Sequence, residues 1–494
     1  MIGWLIILVT FLGYLYLKHV YSYWNRKGVP GPKPTFFFGN IGLTFLRKKS
    51  MGEIFTDIYR QYEDHPFVGV YRAATPCLII KDPDFIKDVT VKHFKCFENN
   101  DVEVPEHKNP LIGRNPFVSN DAEWKKLRSQ LTGAFTSGKM KSLFPIVNEI
   151  GQEFVEYLNK QIAQSKETSI DCRSEMGKFT LQNVANFSVG IDAKAFEDED
   201  GDFKFIANNF ITPGWGDFTT NFIFILPYWF NLFKIEVFNK AVDLKTLSIV
   251  EECLKYRQAS NITRYDVLNH LQNQSKDFNL IEIASGVSAL IMDGYDTSAS
   301  VLTYVIYQLS INEEIQSKLR NEIEEKLNDC EDKMTYEVVQ DMKYLDSCIM
   351  ETLRLHPIFL TLGKRCNNSY TYTTSEDSSF KKMSVTVEPG TTVIIPVTGL
   401  HTDPKYFEKP DEFNPDRFLN NVEIPKYVYM PFGEGPRACL GRQFGLLQLK
   451  IALVYLVKNF QLRLSEESDK ELKIEPWHFI KAPVGKIKIN LKKI

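Results

Sequence analysis

Apolar residues recur along most of this chain at i, i+3, i+4 and i+7, the spacing that lines one face of an α-helix. The pattern predicts amphipathic helices over 50–63, 121–135, 142–163, 174–188, 238–257, 281–309, 312–327, 335–354 and 440–458. Alternation with period two is confined to short runs at 67–71, 77–80, 392–396 and 486–491, which predict strands. The later pair of runs lies far from the earlier pair. The expectation is therefore one small sheet closed by long-range pairing beside a helical bulk, a mainly α fold with a small β region. An aromatic-rich stretch at 210–233, broken by Pro213, Gly214, Gly216 and Pro227, reads as two short helices lying near lipid or roofing a pocket.

Residues 2–17 are an apolar and aromatic run without a charged side chain, followed by Lys18, Arg26, Lys27 and Lys33. At about 1.5 Å per residue the run reaches roughly 24 Å, and Val20, Tyr21 and Trp24 extend it into the interface of a bilayer. It lacks the basic leader and the small-x-small site of a cleaved signal peptide, so the expectation is an uncleaved anchor. Its positive C-terminal flank predicts that the body faces the cytoplasm. The segment Val29-Pro30-Gly31-Pro32-Lys33-Pro34 then predicts a stiff, non-helical hinge. This divides the chain into an anchor at 1–24, a proline-rich hinge at 25–34 and one large unit at 35–494.

Composition narrows the function classes. With 494 residues, 44% of them apolar, the chain can bury a large core. A net charge of −3, with both signs dispersed, does not resemble a nucleic-acid footprint. The eight cysteines are scattered with no Cys-x-x-Cys pair, which argues against a zinc site or disulfide scaffold and for a reducing compartment.

One of those cysteines lies in an unusual loop, Phe432-Gly433-Glu434-Gly435-Pro436-Arg437-Ala438-Cys439-Leu440-Gly441, ahead of an apolar helix. A thiolate metal ligand needs a loop that exposes the sulfur and donates backbone N–H groups to it. Gly433 and Gly435 permit the tight turn, Gly441 permits close approach to a flat cofactor, and Arg437 is placed to neutralise a carboxylate on that cofactor. A lone cysteine is more often a small buried hydrophobe. Gly433, Gly435 and Ala438 also mimic a dinucleotide fingerprint, but no βαβ unit frames them. The whole segment resembles the haem-binding signature of the cytochrome P450 family, Phe-x-x-Gly-x-Arg-x-Cys-x-Gly, with every fixed position filled.

Other motifs, weak alone, fit that resemblance. Glu351 and Arg354 share a helical face at i,i+3 and match the family's Glu-x-x-Arg motif. The resemblance adds Arg417 as the third member of a buried ion-pair triad, whose role is to specify the fold. Trp124 and Arg128, at i,i+4, resemble the pair with which the family holds a haem propionate, and Arg365 resembles a further propionate partner. Together Arg128, Arg365 and Arg437 would compensate the two negative charges of haem.

The segment Asp293-Gly294-Tyr295-Asp296-Thr297-Ser298 lies in the long helix 281–309. A glycine inside a helix suggests a local opening at Gly294, and Thr297 can bond back to the carbonyl four residues earlier. By resemblance, Asp296 and Thr297 are the acid–alcohol pair that serves oxygen activation. Asp293 departs from the family, where Ala or Gly is usual. A carboxylate there would be desolvated, its pKa raised unless partnered. It is expected to bond a polar or cationic substrate group or to alter proton delivery.

The resemblance covers nearly the whole chain and is strongest to microsomal, insect detoxification-type members. It implies the cytochrome P450 fold, haem b, O2 as co-substrate and oxidation of a lipophilic small molecule such as a xenobiotic, steroid, terpenoid or fatty acid. No flavin or nicotinamide site is legible, so electrons are expected from NADPH through a separate flavoprotein reductase, with cytochrome b5 as a second donor. Lys125, Lys126, Lys139 and Arg442 are the expected dock. The expected location is the cytoplasmic face of the endoplasmic reticulum membrane. Substrate contacts are expected after Asp101, within 210–229, near Ala289, at 358–362 and at Phe479. Two other classes remain open. A haem-thiolate isomerase or dehydratase would keep Cys439 but not need Thr297, and a non-catalytic haem- or lipid-binding membrane protein would keep only the core.

Overall fold

The structure, a computed structural model, describes residues 2–164, 169–197, 201–210, 238–262, 264–274, 279–331, 333–419, 424–478 and 480–494. The bulk is helical, as the period predicts. Its axis is the helix Leu280–Ile311, about 48 Å long at 1.5 Å per residue. Asn279 and Glu282 start it with a reciprocal capping box. This central helix is apolar around most of its circumference because neighbours cover it on several sides, among them Cys172–Val189, Lys240–Ser260 and Arg442–Asn459. Burial runs from Ile283 to Ile291, with Leu290 the exception, and resumes at Ser298, so the polar stretch 292–297 is where the helix meets a cavity.

The run expected as one helix over 335–354 is two, Tyr336–Gln340 and Lys343–Leu355. Glu322, from the neighbouring helix Glu313–Asn328, accepts the Tyr344 and Leu345 N–H groups at 2.7 and 2.9 Å. That carboxylate caps a second N-terminus where periodicity alone shows no break.

The sheet expectation also needs correcting. Strands Phe67–Arg72 and Thr75–Ile80 pair antiparallel, and Thr392–Ile395 joins the second of them in parallel, which is the long-range closure expected. Leu362–Arg365 and Asn99–Asn100 complete this five-stranded sheet. The last strand, Lys488–Lys493, belongs elsewhere: it pairs with Phe460–Leu464 and with Ser169–Asp171. Phe460 and Leu462 are buried, and their alternation is hidden at the end of a helical run. Closing onto this nearby strand costs less loop entropy than returning to the first sheet.

At the N-terminal end, helix Ile2–Val20 exposes its apolar side chains, and Leu17 is its buried residue. Trp24 packs into the core beside the first sheet and donates its indole N–H to the Val70 carbonyl at 3.0 Å. The proline segment lies along the edge of that sheet, where the Pro30 carbonyl accepts the Gly69 N–H at 2.8 Å. A Cβ on Gly31 would stand 1.9 Å from the Gly69 carbonyl oxygen, so only glycine allows this approach.

Candidate functional site

A cavity of about 1040 Å³ lies between the central helix and the cysteine loop. The loop is closed by its own backbone: Cys439 N–H donates to the Phe432 carbonyl at 2.8 Å, Gly433 to Met430 at 3.0 Å, and Ala438 to Gly435 at 3.0 Å. Gly433 and Gly435 have φ of 69° and 73°, the left-handed region the turn requires. A Cβ on Gly435 would also meet the Thr90 carbonyl oxygen at 2.0 Å. Cys439 alone of the eight cysteines is exposed, and it faces the cavity deep inside the protein. Burial pushes its thiol up, while the Gly441 N–H, Arg128 and Arg442 favour the thiolate. Both Gly441 and Gly445 line the cavity: a Cβ on Gly441 has Phe135 as its nearest neighbour at 3.8 Å, and one on Gly445 meets nothing within 4 Å. A flat group can therefore lie against this backbone.

Behind the loop, Glu351 and Arg354 are fully buried. Arg354 Nε and Nη2 donate to the two Glu351 oxygens at 2.7 and 2.8 Å, and Arg417 Nε donates to Glu351 Oε1 at 3.3 Å. The Asn414 N–H adds a fourth donor at 2.9 Å. The structure thus brings the three expected members together. It also shows a residue that sequence reasoning missed. His401 gives its carbonyl to Arg354 at 2.9 Å and accepts the Met430 N–H on Nε2 at 2.9 Å. Burial pushes this imidazole down to about 3, which keeps it neutral and able to accept. His401 links the triad to the cysteine loop, and no local motif marks it.

Among the cations that line the cavity, three stand within electrostatic reach of one another around Arg437. Arg437 donates to the carbonyls of Glu98, Pro116 and Ser119 at 2.9, 2.8 and 3.0 Å and stacks on Trp124 at 4.0 Å. Burial, reinforced by Arg128, pushes its pKa down to about 9. Arg128 is lowered by burial and, among the described residues, has no carboxylate partner. The third cation is not the expected one. Arg365 lies off the cavity, paired with Glu103 at 3.3 Å and Asp101 at 3.8 Å. Its neighbour Lys364 lines the cavity instead, bonded to Asn100 Oδ1 at 2.7 Å and pushed down to about 7 by burial and by Arg437. Successive residues of a strand point to opposite faces, and the short strand Leu362–Arg365 was absent from the sequence-based elements. Three neighbouring cations with depressed pKa values, none in an ion pair with a carboxylate among the described residues, describe a corner of the pocket that an added dianion would stabilise.

Across the cavity, Thr297 Oγ1 donates to the Asp293 carbonyl at 2.5 Å. The helix stays continuous through Gly294, contrary to the expected opening. A Cβ there would stand 3.2 Å from Val184, so the glycine serves close helix packing. Gln448 donates to Ser298 Oγ at 2.7 Å beside it. Asp296 is in contact with Arg173, a cavity residue not found from the sequence, whose Nη1 is buried without a partner. The Asp293 carboxylate faces the cavity and receives Asn115 Nδ2 at 3.2 Å on both oxygens. Burial lifts it to about 7, and the single Asn115 bond only moderates the rise.

Of the expected substrate contacts, Asp101, Val102, Phe210, Ala289 and the stretch 358–362 line the cavity. Residues 211–229 and Phe479 lie outside the described residues. Lys125 and Lys126 are exposed and pair with Glu98 and Glu282 at 2.8 and 2.7 Å, Lys139 stands over Tyr265, and Arg442 over Phe432.

Comparison with known proteins gives one consistent result. The family model described as cytochrome P450 matches residues 29–490. Cytochrome P450 6j1 of Blattella germanica is 31% identical over 487 residues, covering 97% of this chain and 95% of the relative. Cytochrome P450 6a2 of Drosophila melanogaster is 30% identical over 509 residues, covering 99% of both. Probable cytochrome P450 9f2 of the same species is 30% identical over 503 residues, covering 95% of both.

Proposed function

The chain belongs to the cytochrome P450 family of haem-thiolate monooxygenases, and from that premise we propose that it inserts one atom of O2 into a lipophilic small molecule, using electrons from NADPH passed on by a separate flavoprotein reductase. The observation that carries the reading is the cavity itself: one wall holds the single exposed cysteine and the other holds the acid–alcohol pair. Haem bound through a thiolate supplies the redox chemistry that activates O2 and functionalises a C–H bond.

The residues present fit that cofactor. Cys439 would supply the thiolate that holds the haem iron, and the Gly441 N–H would tune its sulfur. Phe432, Gly433 and Gly441 would lie against the haem on the cysteine side, and Trp124 would flank its propionates. Arg128 and Lys364, neither in an ion pair with a carboxylate among the described residues, would meet the propionates, and Arg437 holds the surrounding loops in place through the carbonyls of Glu98, Pro116 and Ser119. Glu351, Arg354 and Arg417 hold the loop from behind.

On the other wall, Thr297 donates its hydroxyl hydrogen bond to the Asp293 carbonyl, which leaves the oxygen lone pairs free to accept a hydrogen bond from water or substrate. Asp296, positioned by Arg173, relays protons taken up from water. The Asp293 carboxylate has acceptor capacity left over after Asn115 and receives a donor group of the substrate. The remaining wall is largely aliphatic and aromatic, including Val102, Phe117, Ala289, Ile358 and Phe359, which favours an apolar body on that substrate.

The reductase docks through Lys125, Lys126, Lys139 and Arg442, so raising ionic strength lowers the rate of electron delivery. Helix Ile2–Val20 holds the enzyme on the endoplasmic reticulum membrane, with its body on the cytoplasmic face. Reconstitution with a reductase, NADPH and isotopically labelled O2 tests the reading. The expected product carries one labelled oxygen and forms only with NADPH. Conversion of substrate without NADPH consumption would replace this reading with an isomerase or dehydratase.

A further inference from the structure

Among the described residues, three aspartates line the cavity, and two of them meet an arginine. Asp101 pairs with Arg72 at 2.5 Å, and Asp296 is in contact with Arg173. Asp293 has no cationic partner among the described residues: burial and one amide are what act on its carboxyl. That amide is held in place. Asn115 is 2% exposed, and its Oδ1 accepts the Phe117 N–H at 2.7 Å, which turns Nδ2 toward both Asp293 oxygens at 3.2 Å. A carboxylate can accept about four hydrogen bonds, so most of the capacity of Asp293 is left over, and its side chain is open to the cavity.

The surroundings of this carboxylate select among donors. Phe117, whose N–H fixes Asn115, stacks on Phe359 with ring centroids 5.7 Å apart and planes inclined by 20°, and both residues line the cavity. Phe117 and Met292, the neighbour of Asp293, also pack against the apolar cluster of Val102 and Val118. A neutral donor placed here gains a hydrogen bond but leaves the charge of the carboxylate uncompensated in apolar surroundings. An ammonium group supplies the hydrogen bond and the opposite charge together, and aromatic faces attract it as well. Arg128, Lys364 and Arg437 do not fill that role, since none of them is among the groups that act on Asp293.

We propose that Asp293 is the recognition site for a protonated amine, and that the substrate class is a lipophile carrying a basic nitrogen. It rests on the reading of Asp293 as the acceptor for a substrate donor and narrows that donor to a cation. Thr297 follows Asp293 by four residues on the same helical face, about 6 Å along the axis at 1.5 Å per residue. The amine end of the guest is thereby held beside the acid–alcohol pair, and the carbons nearest the nitrogen are the ones presented there.

The test uses the full haem-loaded chain in phosphatidylcholine nanodiscs and isothermal titration calorimetry at about pH 8, where an alkylamine keeps its proton and the carboxyl has largely lost its own. Three probes share one shape: 1-methyl-4-phenylpiperidine is a cation, 4-phenylcyclohexanol a neutral donor and 4-phenyltetrahydropyran neither. Binding to empty nanodiscs is subtracted. The proposal expects the amine to bind at least about tenfold more tightly than either neutral probe, and Asp293→Asn to bring the three within about threefold of one another. Asp293→Ala gives the same comparison should the asparagine variant lose haem. Equal affinity for amine and alcohol in the parent protein, or an amine preference that survives in the variants, would overturn it. Incorporation of labelled oxygen from O2 with no amine preference would overturn the amine site and leave the monooxygenase reading standing. An Asp293-dependent amine preference without NADPH-driven oxidation would do the reverse.

Discussion

Glu351, behind the cysteine loop, meets four donors, whereas Asp293, on the opposite wall of the cavity, meets one. Both carboxylates are far from bulk water. The first is over-determined: a bidentate arginine, a second arginine and a backbone N–H fix its charge and position, and through His401 they fix the cysteine loop. The second is lifted to about 7 because burial outweighs a single amide. A wall that must hold a metal ligand to within a fraction of an ångström is fully satisfied, and a wall that must accept changing guests keeps unused hydrogen-bonding capacity.

That contrast can be broken most sharply at Glu351. Glu351→Ala leaves Arg354 and Arg417 buried without a counter-charge and is expected to cost about 3–5 kcal/mol, read by urea denaturation together with haem content. A variant of near-normal stability would show that the triad is not what holds this wall. Next in size is the cation pair. Lys364→Ala is expected to speed haem loss to an acceptor protein by roughly ten- to a hundredfold, the effect of one charge-assisted hydrogen bond. On the distal wall, Thr297→Ala should fold and keep haem, while product formed per NADPH falls on the order of tenfold.

Asp293→Asn sharpens the comparison through pH. The carboxyl is raised in the folded protein from 3.8 to about 7, so between those values the folded form keeps a proton that the unfolded chain has released. Stability then falls as pH rises through this window and is level above it. The asparagine variant should flatten that slope in a melting series. A part remains, because Asp243, lifted to about 6 by burial, acts with the same sign. Smallest of all is Arg365→Ala: its pair with Glu103 is partly exposed and its contact with buried Asp101 is long, and Arg72 already pairs with Asp101 at 2.5 Å, which predicts a change within about 1 kcal/mol and no change in haem retention.

The same contrast explains what the sequence made legible. The cysteine loop, the Glu351 and Arg354 spacing and the central helix are local patterns, and each stands where its period or motif predicts. Features set by distant partners were not readable. His401 matters only because Arg354 and Met430 come to it from elsewhere in the chain. Lys364 rather than Arg365 faces the cavity because strand Leu362–Arg365 pairs with Thr392–Ile395, a register that four residues do not reveal. The helix break before Lys343 depends on Glu322, and the bond that moderates Asp293 depends on Asn115, 178 residues away. The unusual acid itself was visible, but its single partner was not.

The central claim is that Cys439 ligates haem iron from the satisfied wall. The most direct measurement is the absorption spectrum of the reduced, carbon monoxide-bound protein, compared with that of Cys439→Ala. A Soret band at the position peculiar to thiolate ligation, absent from the variant, is the expected result. A band at the position of nitrogen-ligated haem in the parent protein, or one unchanged in Cys439→Ala, would contradict the account.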